Sequence, residues 1–226
     1  SEKGSLFQYK VIEKKYAQAI LTQIRDKNTR QVEFRKGLVR LGRVLGLEIV
    51  EDFETEEKLV ETPLGVTYRG VKIKDFENVC IITVLRAAWP LTEGLVKVFY
   101  SARQGVVAAR RVEEKGMHDT EFDIEINYVK IPTINNDNIV IISDVMVATG
   151  STLVAVLKEL LERGKAKRYY IASTISTPAA IEKLRKLTEE TGINLKLYTI
   201  AIDPELNNKG YIVPGLGDAG DRAFGT

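Results

Sequence analysis

The sequence predicts an α/β fold, a mostly parallel sheet with helices on both faces. Residues 79–84, 105–110 and 139–143 are short apolar runs rich in β-branched side chains, the composition of strands buried within a sheet. Residues 90–100, 153–163 and 178–191 read as helices set between and after them. Strands alternating with helices at this spacing join through crossovers, and crossovers make parallel neighbours. No repeat or low-complexity linker interrupts the pattern, so residues 1–226 are expected to form a single domain.

Each element follows from its residues. Residues 14–26 suit an amphipathic helix, with Ala17, Ile20, Leu21 and Ile24 on one face. Thr29 can cap a second helix that runs to Leu45 and is ended by Gly46, closing an N-terminal helical segment over 1–46. Residues 47–53 and 58–61 alternate as strands do, and 66–73 is another strand. Phe122, Ile124, Ile126 and Tyr128 alternate with Asp123, Glu125 and Asn127, the pattern of a half-exposed strand. With residues 111–113 and a turn around Gly116, that strand makes a β-hairpin over 111–132 that projects from the sheet like a hood. Strands at 169–174 and 195–202 complete the sheet. The last stretch, 203–226, is glycine-rich, yet Tyr211, Ile212, Val213 and Phe224 are poor choices for disorder. A tightly folded, backbone-rich binding loop is expected there.

Composition excludes several functions. The formal net charge is +2, too balanced for a general nucleic-acid or membrane binder. No apolar run approaches the length of a membrane span, and no signal peptide is recognised, so a cytoplasmic protein is expected. The single cysteine, Cys80, lies within an apolar strand and reads as a small buried hydrophobe. The single histidine, His118, lies in a polar turn. Multi-histidine metal sites within one chain are excluded, and imidazole is not expected to be the general base.

The most informative stretch is 139–152, a buried strand, the carboxylate of Asp144, a turn and the start of a helix. In open parallel sheets ligands bind beyond the carboxyl ends of the strands. Thr149, Gly150, Ser151 and Thr152 offer hydroxyls and backbone N–H groups to an anion there, and the following helix adds its positive end. Asp144 lies five residues before Thr149, so it can reach ribose hydroxyls while the turn holds a 5-phosphate. The chain has no G-x-x-x-x-G-K-[ST] and no G-x-G-x-x-G, so this is neither a triphosphate loop nor a dinucleotide loop.

Asp144-Val-Met-Val-Ala-Thr-Gly-Ser-Thr152 resembles the phosphoribosyl-diphosphate (PRPP) signature of type I phosphoribosyltransferases. The tail from Gly210 to Thr226, Gly-Tyr-Ile-Val-Pro-Gly-Leu-Gly-Asp-Ala-Gly-Asp-Arg-Ala-Phe-Gly-Thr, is similar nearly residue for residue to the C-terminal signature of uracil phosphoribosyltransferases. Segments 34–42, 61–65, 85–88 and 201–207 match in the same order, so the resemblance runs from about Ile20 to Thr226.

The resemblance implies a type I phosphoribosyltransferase fold and transfer of the 5-phosphoribosyl group from PRPP to N1 of uracil, giving UMP and diphosphate. It assigns PRPP binding and catalysis to Arg86, Arg111, Asp144 and Asp218, and PRPP binding also to Val145, Met146, Val147, Ala148, Thr149, Gly150, Ser151 and Thr152. It assigns uracil recognition to Ile212, Gly217, Asp218 and Ala219, and expects a strained or cis peptide near Arg86. Mg²⁺ is implied, bound through PRPP and water rather than directly by protein side chains. A GTP effector on Lys36, Gly37, Leu38, Val39 and Arg40 and a homo-oligomer, dimer or tetramer, are implied as well. Asp203 and Asp221 read as structural caps and ion-pair partners, and Lys130 as a weaker site candidate. Three departures stand out. Val145 replaces a usual proline, Ser151 a frequent glycine, and Ala219 a frequent aromatic. The competing reading is a phosphoribosyltransferase-fold regulator or nucleotide sensor without turnover.

Overall fold

The computed structural model describes residues 6–112 and 123–226. The tip of the expected hairpin, with Gly116 and His118, lies outside the described residues. A central sheet joins β1 (Phe7–Val11), β4 (Val79–Leu85), β5 (Arg103–Val112), β6 (Asp123–Lys130), β7 (Ile139–Ser143), β9 (Arg168–Ser176) and β10 (Leu195–Ile202). Its order is β1-β10-β9-β7-β4-β5-β6, and the two residues of β8 (Met146–Val147) pair with β9. All these neighbours are parallel except β5 and β6, the antiparallel base of the hairpin. A separate antiparallel ribbon joins β2 (Thr55–Glu61) to β3 (Thr67–Ile73).

Alternation along the central strands supplies two cores. Val79, Ile81, Ile139 and Ile141 face α1 (Lys15–Arg25), α2 (Gln31–Val50) and α3 (Trp89–Val98). Cys80, Ile82, Val140 and Ile142 face α4 (Ser151–Arg163) and α5 (Pro178–Thr191). These strands have helices on both sides, so every residue of β7 is buried. Burial also pushes the Cys80 thiol up to about 11, which leaves it inert. The short pair β11 (Glu205–Leu206) and β12 (Ile212–Val213) and the final helix α6 (Ala219–Phe224) complete the chain.

Several elements differ from the sequence reading. Gly46 does not end the second helix; α2 runs on to Val50 and absorbs part of the expected strand at 47–53. The glycine serves packing instead, because a Cβ on Gly46 would lie 2.9 Å from a Val98 methyl. Gly42 and Gly94 let the backbones of α2 and α3 touch, and a Cβ on Gly42 would sit 2.0 Å from the Leu91 carbonyl oxygen. Gly42→Ala is therefore expected to destabilise the fold by about 2 kcal/mol through overpacking, read as a lower thermal midpoint. Thr29 does not cap α2; its hydroxyl donates to the Gln23 carbonyl and closes the turn after α1. Strand β5 is buried only at Gly105 and Val107, because β6 leaves its outer part open to solvent. Strand β1 went unread as an element; it adds a parallel edge along β10 and anchors Phe7 in the core.

Candidate functional site

The loops after β4 and β7, the end of β5 and the tail after β10 converge at one end of the sheet and enclose a cleft of about 240 Å³. Asp144 follows β7 directly and is fixed there by donating its amide to the Ala172 carbonyl at 3.1 Å. Its half-buried carboxyl forms part of the cleft wall, and burial pushes it up to about 7. Part of that shift is open to relief, since the cleft admits solvent and ligands.

The turn after Asp144 is built to hold its shape. Val145 is 1% exposed and packs into the α1–α3 core, while Val147, 2% exposed, packs into the opposite one. The Val145 carbonyl accepts from the Thr174 amide and hydroxyl and from the Ser173 hydroxyl. The hydrophobic Val145 thus anchors the loop in the core. Both valines turn their side chains away, so they line the cleft with main chain. Met146, Ala148, Thr149, Gly150 and Thr152 line it as well. Gly150 has φ +84°, which favours glycine, and a Cβ there would sit tightly, 3.2 Å from Ala180 Cα. The Thr149 hydroxyl accepts from the Ser151 amide at 3.1 Å at the start of α4. The helix start therefore presents N–H groups and hydroxyls together, a ready seat for a phosphate.

Two arginines were expected here. Arg111, at the end of β5, lines the cleft. The Leu85–Arg86 peptide is cis, at the place where the sequence led one to expect an unusual peptide. The Arg86 side chain turns to α6, donating to Thr226 Oγ1 at 2.6 Å and Asp221 Oδ1 at 3.1 Å, with its guanidinium over the Phe224 ring. It borders the cleft rather than lining it, since a Cβ on Gly220, a lining residue, would be 3.6 Å from Arg86 Nε and Nη2.

The tail folds into a compact loop. Asn207 closes the turn between β11 and β12 by accepting from the Lys209 and Tyr211 amides. The Val213–Pro214 peptide is cis, and Gly215 takes φ +59° with no room for a Cβ, which would lie 2.1 Å from the Ile212 carbonyl oxygen. Asp203 anchors this loop to Arg25 of α1 and to the Gly215 amide, the structural role read for it. Arg222 adds a second anchor, donating to the Ile24, Asp26 and Leu216 carbonyls. Ile212, Gly217, Asp218 and Ala219 all line the cleft. Ile212 and Ala219 are buried, so they too offer main chain rather than side chain. Asp218 caps α6 through Oδ1 and accepts from the Tyr211 hydroxyl at 3.4 Å through Oδ2.

Sequence reasoning missed Ala87, Gly210, Tyr211 and Gly220, which also line the cleft. The available signal was Tyr211, an aromatic set among glycines. Lys130 lies at the end of β6, away from the cleft lining. On α2, Lys36 and Arg40 share an outer face, whereas Gly37 and Leu38 are buried. A Cβ on Gly37 would meet Ile24 at 2.4 Å.

A sequence profile of the family described as uracil phosphoribosyltransferase matches residues 11–226. The chain is similar to a protein of that name from Pyrobaculum islandicum, 49% identical over 96% of this chain and 99% of the relative. A protein of the same name from Thermococcus gammatolerans is 51% identical over 92% of this chain and 88% of the relative. Among solved structures the chain is similar to the AQ2163 protein from Aquifex aeolicus, with a TM-score of 0.83 and 29% identity over 96% and 98% of the two chains.

Proposed function

Because the chain belongs to the uracil phosphoribosyltransferase family, we propose that it transfers the 5-phosphoribosyl group of PRPP to N1 of uracil, giving UMP and diphosphate. One observation carries the reading: an anion-seating loop, a half-buried carboxylate and a backbone-rich tail loop line a single cleft.

Each group has a task that its position suits. Thr149, Gly150, Ser151 and Thr152 seat the 5-phosphate, and the main chain of 145–148 lines the same wall. Asp144 accepts from the ribose hydroxyls; charged acceptors make the stronger hydrogen bonds. Arg111 from the cleft and Arg86 from its rim stabilise the negative charge that grows on departing diphosphate. As the C1–oxygen bond breaks, diphosphate leaves with the bonding pair and C1 becomes oxocarbenium-like; N1 of uracil forms the new bond from the opposite face, and its proton passes to departing diphosphate or water. Ile212, Gly217, Asp218 and Ala219 read the uracil edge through main-chain groups. A buried group left unpaired by cytosine is costly, so the loop discriminates.

Mg²⁺ belongs to the same proposal. Among the described residues, no group of three His, Cys, Asp or Glu could hold a metal ion. The chain instead offers two cleft carboxylates, Asp144 and Asp218, as partners for waters of an ion held mainly by PRPP oxygens. When bound, it would neutralise diphosphate charge.

A GTP effector on α2 would meet Lys36 and Arg40, since Gly37 and Leu38 face the core. Exposed Leu59, Leu64, Val66, Tyr68 and Val71 on the β2–β3 ribbon support a dimer or tetramer. A cytoplasmic location fits the free, buried Cys80.

The test is turnover with PRPP, Mg²⁺ and uracil, cytosine, orotate, adenine or hypoxanthine, each with and without GTP. UMP from uracil alone is the expected result. Turnover with another base would overturn the role given to the tail. PRPP binding without turnover would favour a sensor. A GTP response that Lys36→Ala and Arg40→Ala abolish would support the effector site.

A further inference from the structure

We infer that Lys183 is a further residue of the 5-phosphate seat, acting through the hydroxyl of Ser151; this rests on the PRPP reading above. Thr177, Ala180 and Lys183 recur every three residues and bring one face of the α5 start against the loop after Asp144. The Thr177 hydroxyl donates to the Ala148 carbonyl, and Ala180 packs against Gly150. Lys183 lays its stem on the same glycine, with its Cβ 3.4 Å from where a Gly150 Cβ would be. Its ammonium donates to Ser151 Oγ at 3.0 Å. The loop is the wall between the substrate cleft and a second cavity of about 430 Å³, and Thr149 lines both. Lys158 and Lys186 line that second cavity too, but they are exposed, whereas Lys183 is half-buried and tied to the loop.

The hydrogen-bond inventory gives this contact a direction. A serine hydroxyl has one hydrogen and can accept from other donors. With the Lys183 ammonium donating to Oγ, the Ser151 hydrogen stays available for an anion bound at the start of α4. The phosphate then gains a donor, with a positive charge one hydrogen bond behind it. In a partly buried loop such a charge is screened less than at an open surface. The Ser151 hydroxyl thereby acquires a task.

The experiment compares wild type, Lys183→Met, Lys183→Arg, Ser151→Ala and the double variant. It measures Kd for UMP and for uridine, and KM for PRPP and for uracil. Lys183→Met and Ser151→Ala are each expected to weaken UMP binding and raise the KM for PRPP about tenfold. The effect should fall on that KM more than on kcat, leave uridine affinity within about twofold, and be largely restored by Lys183→Arg. The double variant should be little worse than either single one. Unchanged UMP binding in Lys183→Met, or an equal loss for uridine, would overturn the inference while the enzymatic reading stands. A wild-type protein that binds neither PRPP nor UMP would overturn both.

Discussion

Asp144→Asn is expected to lower kcat/KM for PRPP by about 10²–10³ while making the folded protein more stable above pH 7. The loss follows from the chemistry of the ribose diol. A carboxylate accepts from both hydroxyls, whereas an amide turns an N–H toward one of them, and each charge-assisted bond is worth about 1.5–3 kcal/mol. The gain follows from the environment. Burial raises the Asp144 carboxyl to about 7 in the folded protein, well above its unfolded value near 4. Its contribution to stability is therefore fully present below about pH 4 and is lost as pH rises through 7. Because the side chain is only half-buried and faces an open cleft, solvent screening limits the effect to about 1–2 kcal/mol. Asparagine carries no such dependence. The difference in thermal midpoint should be small near pH 4, grow in favour of the variant up to pH 7, and level off beyond. A wild type equally stable from pH 5 to 8 would show that Asp144 holds no strained charge. Such a residue suits a ligand that donates to it, as PRPP hydroxyls would.

The legible parts of this protein were those where local chemistry and fold agree. The apolar run of β7, followed by Asp144 and the Thr149–Thr152 turn, announced a central strand and a helix start beside it, because burial and backbone donors each leave a mark on residue type. The tail was legible for a different reason: its resemblance was dense, and Tyr211 and Phe224 argued against disorder. What stayed hidden depended on distant partners. Gly46 carries the mark of a helix end, yet its lack of a side chain is used by Val98, some fifty positions later. The alternation in 47–53 suggested a strand, and tertiary packing of α2 overrode it. Arg86 could be placed at a strand end, but its tie to Asp221 and Thr226 could not be read from either segment. Val145 looked like a mild deviation until its side chain was seen in the core.

Asp203→Ala is expected to detach the tail loop from the body of the domain and cost about 3–5 kcal/mol. Asp203 is buried, and its carboxylate accepts from Arg25 Nη1 at 2.7 Å, Arg25 Nη2 at 2.8 Å and the Gly215 amide at 2.8 Å. Its removal strands a half-buried guanidinium and a buried amide at once, so the penalty exceeds the worth of any one bond. Arg25 ends α1, and Arg222 binds the Ile24 carbonyl beside it, so one helix end carries both anchors of the tail. Losing the first should loosen the loop that lines the cleft, while the Asp144–Thr152 loop, held by β9 and α5, keeps its shape. KM for uracil should therefore rise more than KM for PRPP, and amide exchange should quicken over 203–218. Arg25→Ala should behave alike, with a coupling of about 2 kcal/mol or more in the double variant. The pH dependence has the opposite sign to that of Asp144. Burial alone would raise the Asp203 carboxyl, but the Arg25 hydrogen bonds, helped by the Gly215 amide, hold it below the usual range. Its contribution is present above the unfolded value near pH 4 and is lost as pH falls through the folded one. The stability gap between wild type and Asp203→Asn should hold steady from pH 5 to 8 and close only in acid. Equal losses for uracil and PRPP would mean that the anchor supports the whole cleft and not the tail.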